Sequence, residues 1–416
     1  MSFINYNKNL ISSTVIFTSL QMLANLSNLV FFLLVSKHLT NADFALFGTL
    51  FALINTFGGI AGGIFTVVCR NITELSLSSV SAIKLKLKEY DKNLFLALII
   101  LTIIMFLSMN QLKIYLKIPS DYSILLSFVI IILVLAYSIN FAVFQGLQFF
   151  FALGFLGFLV SFIKIPLFYF TPKVFLNANA ALITVIISSV IVYLISRGSL
   201  AIIFKRVKIA EPRSEIYEKK FLITTIFSQI IFNLMLNIDI LIVRYMFDAE
   251  IAGTYIVASS LAKIIIILST TATTVLFPML TAVFIKKIKN NNLTKITIFY
   301  NIFLILFFIT TFWFLSSEIS YLLYKDKYPN LDLYMKYLVF ASSPLALLHL
   351  FEFIFISKKQ IFVAYVFSIS IPITIVYTIF YINDIFNFML IYGLINIVTL
   401  SIVMFKFNIE RGKLID

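Results

Sequence analysis

Seven ionisable residues interrupt long apolar stretches of this 416-residue chain: Lys164, Asp239, Arg244, Lys263, Lys336, His349 and Glu352. A charge at bilayer depth costs about 2.5–3.5 kcal/mol on insertion scales, so each needs a partner, a wet cavity or a route to the interface. Asp239 and Lys263 stand twelve residues on either side of residue 251, where two apolar runs turn back on each other. At 1.5 Å per residue both lie about 18 Å below that turn, near mid-depth. Equal depth on antiparallel neighbours makes them an ion pair that locks two helices, or two walls of one cavity.

Arg244 lies close to the same turn, where its guanidinium fork could snorkel or take a phosphate bidentately. Lys164, in Ile163-Lys164-Ile165-Pro166, either snorkels or marks a proline bend toward a cavity. Snorkelling suits Lys336, about one turn into its run. His349 and Glu352, spaced i, i+3, share a helix face and could exchange a proton, since His changes charge near neutrality. The alternative has Glu352 reaching toward Lys358 and Lys359 while His349 hydrogen-bonds within the bundle. A lone Cys69 allows no internal disulfide or thiolate cluster. His38 and His349, far apart in sequence, make a zinc site improbable. No metal or cofactor is expected.

The elements that position these residues are membrane spans. The chain is 61% apolar and 12% charged, with a mean hydropathy of +1.05, which excludes a soluble globular domain. Runs of about 20 apolar residues predict an all-α, polytopic membrane protein. Twelve fall at 10–35, 44–68, 93–109, 123–145, 151–170, 178–196, 221–247, 253–281, 296–316, 333–356, 361–382 and 387–407. The first is too long, and too lacking in a cleavage site, for a removed signal peptide.

The net charge of +14 does not indicate nucleic acid, because the cations sit in short loops with no folded polar surface between them. Of the 32 Lys and Arg, four fall within spans, six in loops after odd-numbered spans, and 22 at the termini and in even loops. The positive-inside rule therefore predicts both termini in the cytoplasm. Arg70, ending the second span, reads as an inner-surface anchor. The longest loop, 197–220, predicts six-helix lobes at 1–197 and 221–416, joined by a linker at 198–220. Asn41-Ala42-Asp43-Phe44-Ala45 recurs 207 residues later as Asp248-Ala249-Glu250-Ile251-Ala252, which suggests a duplicated six-helix unit of the kind found in transporters. Gly58/Gly62 and Gly59/Gly63 satisfy G-x-x-x-G and predict close helix packing, and Pro166, Pro344 and Pro372 predict kinks.

The segment NIDILIVRYMFDAEIAGTYIVASSLAKIIIILSTTATTVLFP, 237–278, then suggests a family. Its Asp-Ile-Leu-Ile-Val run, its Ala252-Gly253-Thr254-Tyr255 and its Pro278 ending resemble the seventh and eighth helices of Wzx-type O-antigen and capsule flippases. These belong to the multidrug/oligosaccharidyl-lipid/polysaccharide (MOP) exporter superfamily. LTNADFALFG before the second span and FQGLQFF at 144–150 are similar to further elements of that family.

The resemblance implies a MATE-like pair of lobes around a cavity in the bacterial cytoplasmic membrane. Its cargo would be an undecaprenyl diphosphate-linked oligosaccharide repeat unit, moved to the periplasmic leaflet for O-antigen or capsule assembly, with the polymerase and chain-length regulator of that pathway as partners. Lys263, Asp239, Arg244 and Lys164 would line the cavity, and His349 with Glu352 would couple protons. A drug exporter of the same superfamily should show more buried acids than cations, whereas here two acids face four cations. Major-facilitator carriers usually have G-x-x-x-D-R-x-G-R-R after the second span, which is absent. A membrane polymerase usually needs a large outer loop, and the candidates, 110–122 and 317–332, are short. No Walker motif is present for an ATP-driven pump.

Overall fold

The computed structural model describes residues 9–76, 80–171, 176–205, 219–269, 291–357 and 360–412. They form twelve helices, and no strand occurs among the described residues. The first six are α1 Asn9–His38, α2 Asn41–Ser76, α3 Val80–Tyr115, α4 Asp121–Gly146, α5 Phe150–Tyr169 and α6 Ala178–Phe204. The second six are α7 Lys219–Met246, α8 Ala249–Ala262, α9 Asn291–Tyr324, α10 Leu331–Ser357, α11 Phe362–Tyr381 and α12 Ile385–Gly412. Each overlaps a stretch long and apolar enough to cross a membrane, that of α8 running on to Ser269.

Several helices outrun the expected spans. At 36 residues each, α2 and α3 are about 54 Å long, well beyond the roughly 30 Å of bilayer hydrocarbon. Hydropathy detects only the part that matches hydrocarbon, so charges assigned to loops ride on helix ends instead. Arg70 is not the end of its helix: it lies inside α2 and pairs with Glu74 at 3.1 Å, one turn on. Asp91 and Arg197, also assigned to loops, lie in α3 and α6 and are ion-paired with each other. Lys113, in the last turn of α3, pairs with Asp121, the first residue of α4, at 2.7 Å.

Capping side chains set the helix starts. The Thr40 hydroxyl donates to Asp43 Oδ2 at 2.8 Å while the Asp43 amide donates to Thr40 Oγ1 at 3.1 Å, a reciprocal cap that starts α2 three residues before its apolar run. Ser120 caps α4, Asn177 caps α6, and the Asp384 carboxylate accepts from the first-turn amides of Phe386 and Asn387 in α12.

The helices repeat. Asn9 and Lys219, Asn41 and Ala249, Val80 and Asn291, Asp121 and Leu331, Phe150 and Phe362, and Ala178 and Ile385 open corresponding helices 207 to 212 residues apart. The packed pairs α3–α4, α4–α5, α4–α6 and α5–α6 recur as α9–α10, α10–α11, α10–α12 and α11–α12. The third helices, α3 and α9, bury the least of themselves and carry apolar residues such as Phe95, Leu107, Phe314 and Leu322 outward, as suits a lipid-facing position. The fourth helix of the second half, α10, is the most buried span.

By packing the chain forms two compact units, one of residues 1–38 and 53–230, the other of 39–52 and 231–416. The division at 198–220 expected from the sequence is one of chain order, and residues 206–218 lie outside the described ones. In the first unit Gly59 and Gly63 of α2 press on the backbone of α7 at Gln229 and Ile226, the close approach expected of G-x-x-x-G, whereas Gly58 of the other expected pair faces open space among the described residues. Within the second unit a Cβ on Gly253 would sit 2.6 Å from the Asn41 carbonyl oxygen, so α8 approaches the start of α2 backbone to backbone. Gly253→Ala is expected to cost about 1–3 kcal/mol, read as a lower thermal midpoint in detergent, because that backbone has to move.

Candidate functional site

In the second unit Asp239, on α7, is fully buried, and Lys263, which follows the last residue of α8, is 16% exposed. The Lys263 ammonium donates to both Asp239 carboxylate oxygens at 2.8 Å and to the Leu236 carbonyl at 2.7 Å, so three acceptors meet its three protons. Asp239 Oδ2 also accepts from the Tyr255 hydroxyl at 3.1 Å and the Ser259 hydroxyl at 3.0 Å. Tyr255, Ser259 and Lys263 follow one another at four-residue intervals, so one face of α8 and its C-cap carries the side chains that, among the described residues, meet the carboxylate. Tyr255 is held in turn by Phe388, whose ring stacks on Tyr392. Tyr392 donates to the Met235 carbonyl at 3.1 Å. The result is a charge pair with its hydrogen bonds filled, the condition under which a buried pair is tolerated.

The first unit holds a different arrangement. Lys164 of α5 is 6% exposed and does not snorkel. Its ammonium donates to Asn28 Oδ1 at 2.6 Å and lies 5.1 Å from the centre of the Phe31 ring, both on α1. Among the described residues no carboxylate lies within ion-pair distance of it. An amide oxygen and a ring face offset part of the desolvation and leave the positive charge unneutralised. The structure therefore separates two lysines that look alike in sequence: Lys263 is neutralised, Lys164 is not.

The remaining candidates are dispersed. Arg244, in the last turn of α7, is buried. Lys336 in α10 is half-buried. His349 sits between Phe232 and Phe353, with ring centroids 4.9 Å away on each side, and its Nδ1 has no hydrogen-bond partner among the described residues. Glu352 is buried one turn further along α10. Lys358 and Lys359, its alternative partners, lie outside the described residues.

Sequence reasoning missed Asn28, Phe31, Ser259 and Tyr392, as well as a polar cluster in the first unit. There Arg197 pairs with Asp91 of α3 and reaches Asn140 of α4, which donates to Ser196 at 2.9 Å. The cluster ties α3, α4 and α6 together and supplies no group to either lysine.

No family model matches the chain, and no curated protein matches it. Solved structures do. The chain aligns over 96% of its length, and 98% of the other chain, with a multidrug resistance MATE family transporter of the MOP superfamily in an inward-facing conformation, at a TM-score of 0.74 and 11% identity. With the lipid II flippase MurJ, in an inward closed conformation, it shares a TM-score of 0.69 and 14% identity over 95% of this chain and 87% of that one. A Vibrio cholerae MATE transporter gives 0.64 and 15%, over 97% and 98%. The protein is a multi-pass, all-helical membrane protein with the twelve-helix fold of these transporters and flippases.

Proposed function

We propose that the protein is a flippase that carries an undecaprenyl diphosphate-linked oligosaccharide from the cytoplasmic to the periplasmic leaflet of a bacterial inner membrane, for O-antigen or capsule assembly. The observation that carries this reading is Lys164: a buried ammonium without a counter-charge is a receptor for an anion. A diphosphate headgroup cannot cross hydrocarbon unaided, and Lys164 would replace part of its hydration while the prenyl tail stays in lipid. With both termini in the cytoplasm, outward movement of that anion follows the inside-negative potential, worth about 2.3 kcal/mol per charge per 100 mV. The likeness of fold to a lipid II flippase supports the cargo class, and the residues at 237–278 support the family.

Drug export, the other activity named among the structural neighbours, favours a cationic cargo and so an available buried acid. Of the two buried acids Asp239 and Glu352, Asp239 is committed to Lys263, Tyr255 and Ser259 and is not open to such a cargo. The deciding experiment is deletion of the gene followed by analysis of undecaprenyl-linked intermediates. A completed repeat unit accumulating on the inner leaflet is expected. Accumulation on the outer leaflet would assign the chain to polymerisation, and an unchanged lipid pool would reject both.

A further inference from the structure

The helix ends of the two halves reveal a correspondence between the lysines. Counted back from His38 at the end of α1 and from Met246 at the end of α7, Asn28 is equivalent to Leu236 and Phe31 to Asp239. These four residues receive the two buried ammonium groups: Lys164 meets Asn28 and Phe31, and Lys263 meets Leu236 and Asp239. The lysines themselves do not correspond. Lys164 comes from the fifth helix of its half and Lys263 from the end of the second. The same turn of the duplicated first helix is thus given a positive charge twice, by different routes.

In α7 that turn has the makings of an ion site. A carboxylate oxygen pair and a helix carbonyl converge on one point at 2.7–2.8 Å, and the hydroxyls of Tyr255 and Ser259 lie behind the carboxylate. All are hard oxygen donors, and their distances suit an ammonium group or a cation of similar size such as potassium. We propose that the Leu236–Asp239 turn, closed by Tyr255 and Ser259, is a monovalent-cation site whose resident ion is the Lys263 ammonium. The buried Asp239 carboxylate needs a positive charge beside it, and the chain carries that charge covalently, so the site draws none from solution. The lysine stem is 16% exposed, which leaves a path along which a free cation can enter once the side chain is shortened. This inference does not depend on what the protein transports.

The test is thermal unfolding of the full chain in detergent, with potassium, sodium, methylammonium or choline chloride at constant ionic strength. The wild type is expected to unfold at one temperature in all four salts. Lys263→Ala is expected to unfold earlier in choline and to regain about 5 °C, saturably, in potassium or methylammonium, the size of shift that near-saturating binding gives a domain this large. Choline is too bulky to enter. Asp239→Asn combined with Lys263→Ala should lose the salt response. Equal behaviour of Lys263→Ala in all salts would overturn the proposal. So would its failure to fold in every salt while the neutral pair Asp239→Asn, Lys263→Met folds, and so would a saturable potassium shift in the wild type.

Discussion

Replacing Lys164 by Met is expected to abolish surface-polysaccharide complementation in a flippase-null strain while leaving the protein at least as stable as the wild type. The two effects separate because they have different origins. A buried ammonium with one amide acceptor and one ring face is a net burden on the fold, and an apolar side chain of similar length removes that burden while keeping the packing against Phe31. Function is lost because, among the described residues of the first unit, no other buried cation lacks a carboxylate partner; a fall of at least about 100-fold, near 2.7 kcal/mol, is expected. Lys164→Arg should keep part of the activity. Membrane abundance, unfolding midpoint and polysaccharide yield, measured on the same samples, check the prediction. Near-normal polysaccharide with Lys164→Met would remove this lysine from the substrate path.

Asp239→Ala should do the opposite, acting first on stability. It strips Lys263 of the one counter-charge it has among the described residues, in a site that also orients Tyr255 and Ser259, and breaking one side of a buried pair costs about 3–5 kcal/mol. The neutral replacement of both, Asp239→Asn with Lys263→Met, is expected within about 1 kcal/mol of the wild type, because pairing and burial nearly cancel. A double-mutant cycle on unfolding midpoints gives the coupling directly. Additive single effects would show that the two side chains do not act as a unit.

Hydropathy located all twelve helices because each must cross apolar solvent, and the expected meeting of Asp239 with Lys263 occurs although the turn lies at residues 247–248 rather than 251, so that the two are not equidistant from it. Helix lengths were not legible from hydropathy, since beyond the hydrocarbon boundary the limits pass to single capping residues. Thr40 with Asp43, Ser120, Asn177 and Asp384 carry that signal in types and spacings that are readable once sought. Ser259 was equally legible, four residues from both Tyr255 and Lys263 on one helix face. Asn28 was not: it lies 136 residues from Lys164, and nothing local marks it among the other polar residues of the first span. A second repeat signal was missed. Lys117-Ile118-Pro119-Ser120 and Lys327-Tyr328-Pro329-Asn330 stand 210 residues apart, the same offset as the starts of α4 and α10 that follow them.

The correspondence of Asn28 with Leu236 and of Phe31 with Asp239, set against the lack of correspondence between Lys164 and Lys263, separates what the two halves share from what they do not. Helix starts, packed pairs and the Lys-x-Pro turns occur in both halves. The two lysines sit on different helices of their halves, and among the described residues only Lys263 meets a carboxylate. The scaffold is repeated, and its buried charge is not.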